Sequence, residues 1–207
     1  IPEFGRLYCL VQHEFYHRYT ADIHTLDTIR HLDEIFARTD PPFDSYRAAL
    51  RRTEHPTLLY LALLLHDIGK ADGIRGHDRR GAALARPILG RMDIAKDRQR
   101  QILFIIGNHL EMARFSQRFD LDDPATIQSF AGLCGDETAL CYLYVHTYCD
   151  ARGTAESLWN DYKQTLHQML FERTLSALAE GADPEEEERR RRAMIEEDLL
   201  SRPIARD

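Results

Sequence analysis

Apolar residues recur along this chain at the three- and four-residue spacing of amphipathic helices, and no segment alternates convincingly in the manner of a strand. Helical spacing extends over residues 7–37, with a break expected near Tyr19. Asp40-Pro41-Pro42 ends this segment, because a residue before proline avoids helical backbone angles. A second long amphipathic segment covers residues 154–179. We therefore predict an all-α fold.

The segment 58–65 is apolar on every side, which predicts a helix buried at the centre of the fold. His66 and Asp67 follow it directly, and Gly69 fits the position that closes a helix C-terminus. A polar, glycine-rich loop is expected over residues 71–80. The His-Asp doublet is thus predicted at the end of a buried helix, beside a loop that can supply further ligands.

Two more ionisable side chains fall on apolar helix faces. In the helix predicted over residues 97–114, His109 continues the spacing set by Ile105, and Asp150 shares a stripe with Leu143. A buried imidazole can satisfy itself with ordinary hydrogen bonds, so His109 alone would not indicate a site. An inward carboxylate without a partner is costly, so Asp150 is harder to explain structurally.

The chemistry of the doublet favours a metal ion. His66 and Asp67 must lose their water inside an apolar helix end, and a divalent cation supplies the missing partner. Imidazole nitrogens and carboxylate oxygens together suit Mn, Fe, Zn or Mg. Lys70 follows His66 by four residues, so it is predicted to reach the same opening and bind phosphate as a point charge. The four cysteines lack C-x-x-C spacing and predict reduced thiols rather than a zinc ribbon.

Length and charge narrow the class of protein. The 207 residues suffice for one domain, predicted over 1–182, followed by a charged helical linker or tail over 183–207. A net charge of -7 argues against DNA as a partner, and no apolar stretch reaches the roughly 20 residues of a membrane span. Without a signal peptide the expected location is cytoplasmic. Because the chain starts at Ile1, we expect a piece of a longer protein.

The remaining histidines are given structural roles. Those of the first segment are predicted to be mostly surface or cap residues, and His146 and His167 to be structural because nothing apolar or ionisable lines up with them. The residues concerned are His13, His17, His31, His55, His146 and His167.

The order of these ligand candidates resembles the HD-domain superfamily of metal-dependent phosphohydrolases, an all-α helical bundle. His24, the doublet His66-Asp67, and Asp150 match the H, HD, D pattern of that superfamily. Two further histidines fall where members with two metals place extra ligands. The resemblance therefore implies a binuclear site, with Mn or Fe favoured and Zn or Mg as alternatives, whose ligands are His24, His66, Asp67, His77, His109 and Asp150.

A closer similarity is to the uridylyl-removing HD domains of bifunctional PII uridylyltransferases. It extends from residue 2 to about residue 175 and includes the segments 17–26, 65–70 and 158–163. Those enzymes carry a nucleotidyltransferase domain before this region and ACT domains after it, so this chain would be their middle part. Ile23 and Asn108 depart from the usual pattern without removing a proposed ligand.

The resemblance implies removal of UMP from uridylylated PII protein by a metal-activated water, with Asp67 bridging two ions. Catalytic roles are predicted for Asp67, Lys70, His77 and His109, and substrate binding for Lys70, Arg118 and Lys163. Two alternatives remain open: a phosphohydrolase of small nucleotides or cyclic dinucleotides, and a non-catalytic metal- or nucleotide-binding regulatory module. A preference for the uridylylated protein would separate the two enzymes, and the regulatory module predicts no turnover.

Overall fold

The computed structural model describes residues 1–11 and 19–181, and within these residues it contains helices and no strand, which confirms the predicted all-α fold. Two short 3-10 helices, Ile68–Asp72 and Glu156–Leu158, lie among the α-helices. The α-helices are α1 Pro2–Gly5, α2 Ala21–Ala37, α3 Phe43–Leu50, α4 Leu58–Leu65, α5 His77–Arg91, α6 Lys96–Asn108, α7 Glu111–Arg118, α8 Pro124–Cys134, α9 Glu137–Thr154 and α10 Asp161–Glu180.

Helices α4 and α9 form the centre of the bundle. Helix α2 packs along α9, and α4 contacts α2, α6 and α9. Leu59, Leu63 and Leu65 of α4 are fully buried, as the all-apolar segment predicts. Each such side chain contributes about 1.5–3 kcal/mol by leaving water. This packing fixes the ends of α2, α4, α6 and α9 relative to one another.

Aspartate side chains cap the starts of α8 and α9. The Asp123 carboxylate accepts a hydrogen bond from the Ala125 amide at 3.0 Å, and Pro124 takes the first helical position. The Asp136 carboxylate accepts from the Ala139 amide at 2.8 Å at the start of α9. These two caps fix the first residues of successive helices, one of which, α9, carries Asp150.

Three predicted boundaries are wrong. The helix expected over 97–114 is broken at His109, whose Nδ1 lies 2.8 Å from the carbonyl oxygen of Ile106 in the last turn of α6. Helix α9 continues to Thr154, so the last long helix begins at Asp161 instead of residue 154. Helix α5 already begins at His77, which shortens the loop expected over 71–80.

Gly69 has a different role from the predicted helix cap. It lies inside the 3-10 helix Ile68–Asp72, where a Cβ atom would stand 2.7 Å from the backbone nitrogen of Gly81 and nearer still to the His77 carbonyl. The absence of a side chain therefore lets the start of α5 pack directly on the chain that follows the His-Asp doublet.

The structure also bears on the predictions for His31 and for a membrane span. His31 is buried rather than on the surface, and its Nδ1 lies 3.1 Å from the Glu34 carboxylate within α2. Among the described residues, no helix has both the length and the apolar character needed to cross a bilayer. The boundary at residue 182, the tail over 183–207, and His13 and His17 lie outside the described residues.

Candidate metal centre

A cavity of about 370 Å³ opens where the ends of α4, α6 and α9 meet the start of α5. Its floor holds ligand candidates, and its mouth is made by the loop before α5 and the turn after α6. The lining residues are Asp67, Lys70, Ile74, Arg75, Gly76, His77, His109, Leu110, Asp150 and Thr154.

Asp67 lies between two pairs of imidazoles. Its Oδ2 atom is 3.3 Å from His66 Nε2 and 3.5 Å from His24 Nε2. Its Oδ1 atom is 3.2 Å from His77 Nε2 and 4.0 Å from His109 Nε2. One buried carboxylate therefore offers one oxygen to each pair.

Asp150 completes the first of these groups. On α9, its Oδ1 atom lies 3.0 Å from His24 Nε2 and 3.6 Å from His66 Nε2. The inward direction predicted for this side chain is thus observed, although it keeps 21% exposure at the cavity. All six residues proposed as metal ligands are brought together, and their nitrogen and oxygen atoms form overlapping sets within 4.8 Å of one another.

Backbone carbonyls orient three of the four histidines that are ligand candidates. Because a carbonyl oxygen only accepts, each ring must carry its proton on Nδ1 and direct the Nε2 lone pair into the site. A hydrogen bond of this kind is the usual support for a metal-bound imidazole. The Nδ1-to-oxygen distances are 2.7 Å for His66 to Leu63, 2.8 Å for His77 to Ile74 and 2.8 Å for His109 to Ile106.

This arrangement fits divalent cations. The Nε2 atoms of His77 and His109, both oriented as lone pairs, lie 3.1 Å apart, and those of His24 and His66 lie 3.3 Å apart. Two acceptor nitrogens at such distances repel each other unless a proton or a cation lies between them. The buried Asp67 and the partly exposed Asp150 add negative charge, and this mixed nitrogen and oxygen donor set suits Mn, Fe, Zn or Mg.

Electrostatics keep the carboxylates charged. Burial raises the pKa of Asp67, but His66, His77 and Lys70 together hold that pKa well below its usual range. Burial likewise raises the pKa of Asp150, while its hydrogen bonds with His24 and His66 lower it well below the usual range. Both groups are therefore anionic at neutral pH, which is the form that binds metal.

The imidazoles divide into two electrostatic types. Burial and the neighbouring His66 lower the pKa of His109 to about 4, so its ring is neutral. Burial also lowers the pKa of His66, but Asp67 and Asp150 outweigh it and raise that pKa to about 10. A proton on His66 therefore competes with a cation for the same nitrogen.

Lys70 forms an ion pair with Asp67. The ammonium group is buried and lies 2.7 Å from Asp67 Oδ2. Its charge therefore neutralises the central carboxylate at the edge of the cavity. The other two substrate-binding candidates lie elsewhere: Arg118 is exposed at the end of α7, Lys163 is half-buried in the first turn of α10, and neither lines this cavity. Their roles stay predictions.

His146 is a component of the site that the sequence analysis missed. It is fully buried on α9, with its ring centroid 5.2 Å from that of His66 and 5.7 Å from that of His109. Neither ring nitrogen has a hydrogen-bond partner among the described residues. The expectation that nothing ionisable lines up with His146 is wrong, and its spacing of four from Asp150 was the available signal.

A helical fold in which a buried His-Asp doublet meets four further ligand candidates is typical of the HD-domain proteins, and direct comparison agrees. The sequence model of the HD domain matches residues 21–131, so the chain belongs to the HD-domain family. Asp150 lies beyond the matched segment, and its place in the site comes from the structure.

Curated relatives carry a more specific name. The chain is 38% identical over 184 residues to the bifunctional uridylyltransferase/uridylyl-removing enzyme of Pseudomonas syringae pv. tomato (strain ATCC BAA-871 / DC3000). It is 40% identical over 185 residues to the enzyme of the same name in Pseudomonas putida (strain W619). Each match covers 88% of this chain and 20% of the relative. The chain thus spans one fifth of the length of these relatives.

Proposed function

We propose that this chain is a metal-dependent phosphodiesterase that removes UMP from a uridylylated PII-type protein. The observation that carries the proposal is the position of Asp67, whose two oxygens face two separate imidazole pairs inside an open cavity. Sites that hold two metals in this way are common among enzymes that hydrolyse phosphate esters. The relatives are named uridylyl-removing enzymes, which supports the choice of substrate.

Two ions would be held by two groups of side chains. One set comprises His24, His66, Asp150 and the Oδ2 atom of Asp67. The other comprises His77, His109 and the Oδ1 atom of Asp67. When bound, divalent ions such as Mn or Fe supply a water of lowered pKa and positive charge for the phosphoryl oxygens.

The remaining chemistry belongs to the protein. Lys70 lies 2.7 Å from Asp67 Oδ2 and helps to hold this carboxylate against the imidazoles. The backbone bonds of His66, His77 and His109 hold the Nε2 lone pairs in the direction of the cavity. A tyrosine leaving group has a pKa of about 10, so its release needs little help from a general acid.

The size of the cavity supports a second candidate, a phosphohydrolase of free nucleotides or cyclic dinucleotides. A volume of about 370 Å³ falls within the range of roughly 300–1,000 Å³ that small-molecule sites occupy. A protein substrate would insert only its modified side chain into the same space. The two candidate functions therefore differ in whether the surface around the cavity must also bind a protein. Comparing kcat/KM for free nucleotides and for the uridylylated protein separates them.

The test measures hydrolysis after removal and return of metal. Stripped protein is supplied with Mn, Fe, Zn or Mg and assayed on bis-p-nitrophenyl phosphate, free nucleotides and uridylylated PII protein, with metal content counted in the same samples. We expect turnover that requires metal and is lost in His66→Ala, and a higher kcat/KM for the uridylylated protein. His55→Ala, which changes a histidine outside the cavity lining, is the control.

Two results would change this assignment. A preference for free nucleotides or cyclic dinucleotides would favour the second candidate. Bound metal without turnover on any of these substrates would instead indicate a regulatory module that binds metal.

A further inference from the structure

We propose that the mouth of the cavity is a nucleoside subsite, in which Ile74 and Leu110 flank a planar base and Arg75 binds the adjacent phosphate. This inference rests on the proposed phosphodiesterase function and assigns substrate recognition to residues outside the metal ligands. It concerns the group that stays on phosphorus when the leaving group departs.

Apolar side chains at the mouth remain accessible. Ile74 is 39% exposed and Leu110 is 42% exposed, although both line the cavity. Ile74 belongs to the loop before α5, and Leu110 belongs to the turn between α6 and α7. Two separate chain segments therefore place aliphatic surface beside a charged floor, and a planar group with apolar faces is the ligand that gains most from covering it.

Arg75 is the cation available at this mouth. Its side chain is exposed, lines the cavity, and forms no ion pair within the part of the chain that the structure describes. Lys70, the cation predicted from the sequence, is instead paired with Asp67. A planar guanidinium also matches two phosphate oxygens at once, which an ammonium cannot do.

The loop that carries Ile74 and Arg75 is held in place by Arg80. The Arg80 guanidinium donates to the Arg75 carbonyl at 2.7 Å, to the Gly69 carbonyl at 3.4 Å, and also to the Gly73 carbonyl. Gly76 has a φ of +73°, a left-handed angle that favours glycine and turns the chain into α5. A loop fixed before binding loses less entropy when ligand arrives.

The apolar half of the subsite is tested with two substrates that share a leaving group. Thymidine 5′-(p-nitrophenyl phosphate) carries a nucleoside, and methyl p-nitrophenyl phosphate carries none. We expect the metal-loaded protein to prefer the nucleoside by kcat/KM, and Ile74→Ala or Leu110→Ala to reduce this preference about fivefold to tenfold. Met92→Ala, which alters another exposed apolar residue outside the cavity lining, is expected to leave the preference unchanged.

The charged half is tested with Arg75→Gln. Because both substrates carry the same phosphate, we expect KM to rise by roughly fivefold for both, with kcat unchanged and the effect weaker at high salt. Arg79→Gln removes a neighbouring exposed arginine that does not line the cavity and is the matched control. Equal effects of the two variants would contradict a specific role for Arg75.

Failure of the subsite is distinguishable from failure of the proposed function. Turnover without preference for the nucleoside, or a preference that Ile74→Ala and Leu110→Ala both leave intact, overturns the subsite alone. Absence of turnover overturns the proposed phosphodiesterase. In that case the subsite is tested separately by calorimetry on metal-loaded protein, which compares the binding affinity for UMP with that for methyl phosphate. Equal affinity for the two ligands would overturn the subsite there as well.

Discussion

Helix α9 separates two clusters that both contain buried histidines. One face directs His146 and Asp150 into the metal centre, and the opposite face directs Tyr144 and Tyr148 into an aromatic cluster around His167. In the aromatic cluster His167 stacks on Tyr144 and donates from Nε2 to the Tyr144 carbonyl at 2.8 Å. Burial lowers the pKa of His167 to about 4.

The two clusters differ in whether carboxylates lie next to the buried histidine. His66 and His167 are equally buried, yet the pKa of His66 is raised to about 10 because Asp67 and Asp150 outweigh its burial. A histidine surrounded by aromatic rings is a neutral structural element. A histidine surrounded by carboxylates becomes a place where a proton or a metal ion is retained.

The largest expected effect comes from Asp67→Asn, which makes the metal centre resemble the aromatic cluster. The substitution removes the negative charge that Lys70 and the imidazoles share, and it replaces one of the two oxygens that face the imidazole pairs with an amide nitrogen, which cannot bind a cation. We expect kcat/KM to fall at least about 10³-fold, together with loss of bound metal. Steady-state kinetics and metal analysis check this, with exposed Asp97→Asn as the control. Retained metal content would contradict the bridging role.

Gly69→Ala should disturb the packing beside the candidate metal centre and leave the aromatic cluster around His167 unchanged. Its Cβ would stand 2.7 Å from the backbone nitrogen of Gly81, so α5 must shift. We expect the free energy of unfolding to fall by about 3 kcal/mol in urea titrations. Gly132→Ala in α8 is the control, because its Cβ would meet nothing within 4 Å and should stabilise by about 0.5–1 kcal/mol. Similar behaviour of both variants would contradict the close packing.

His167→Phe should change how stability depends on pH. The pKa of His167 is about 4 in the folded protein and 6.5 in the unfolded chain, so the unfolded chain binds the proton first as pH falls. His167 therefore lowers the free energy of unfolding by about 2 kcal/mol between pH 7.5 and pH 5. The variant should lose that part of the decline. Parallel pH profiles of the native protein and the variant would contradict a neutral buried imidazole.

His146→Ala should have the smallest effect of the four. The ring of His146 packs edge-on against His66 at 78° and also contacts His109, so it restricts both ligands. Its removal should weaken metal affinity by about tenfold, the lower end of the effect seen when supporting groups are lost. His146→Phe keeps a planar ring and should lose less. Competition with a metal-binding dye measures both, and equal losses would argue against ring packing as the cause.

Local signals explain which parts of this protein were predictable from sequence. The all-apolar segment of α4 depends on neighbouring residues alone, so its position was predicted correctly. The doublet His66-Asp67 was placed correctly at the end of α4 for the same reason. The six ligand candidates were identified through the family resemblance as well as through spacing. Spacing alone was not sufficient, because the residues lie on separate helices, including α2, α5 and α9.

Features that the spacing of apolar residues does not encode were missed. The break at His109 depends on a bond from its own ring to the last turn of α6, which periodicity does not indicate. The ion pair between Lys70 and Asp67 was not predicted either, and the role of Lys70 in binding phosphate stays a prediction. His146 was missed because its neighbours, His66 and His109, lie at the ends of other helices.

The aromatic cluster also gives the protein an internal optical probe. Trp159 is the only tryptophan of the chain, and its indole lies 5.1 Å from the His167 ring and 5.4 Å from the Tyr148 ring. Its emission therefore reports on the face of α9 that points away from Asp150. If chelation of metal leaves that emission unchanged, the centre can be emptied while the bundle around it stays assembled, and loading can be followed without mistaking it for folding.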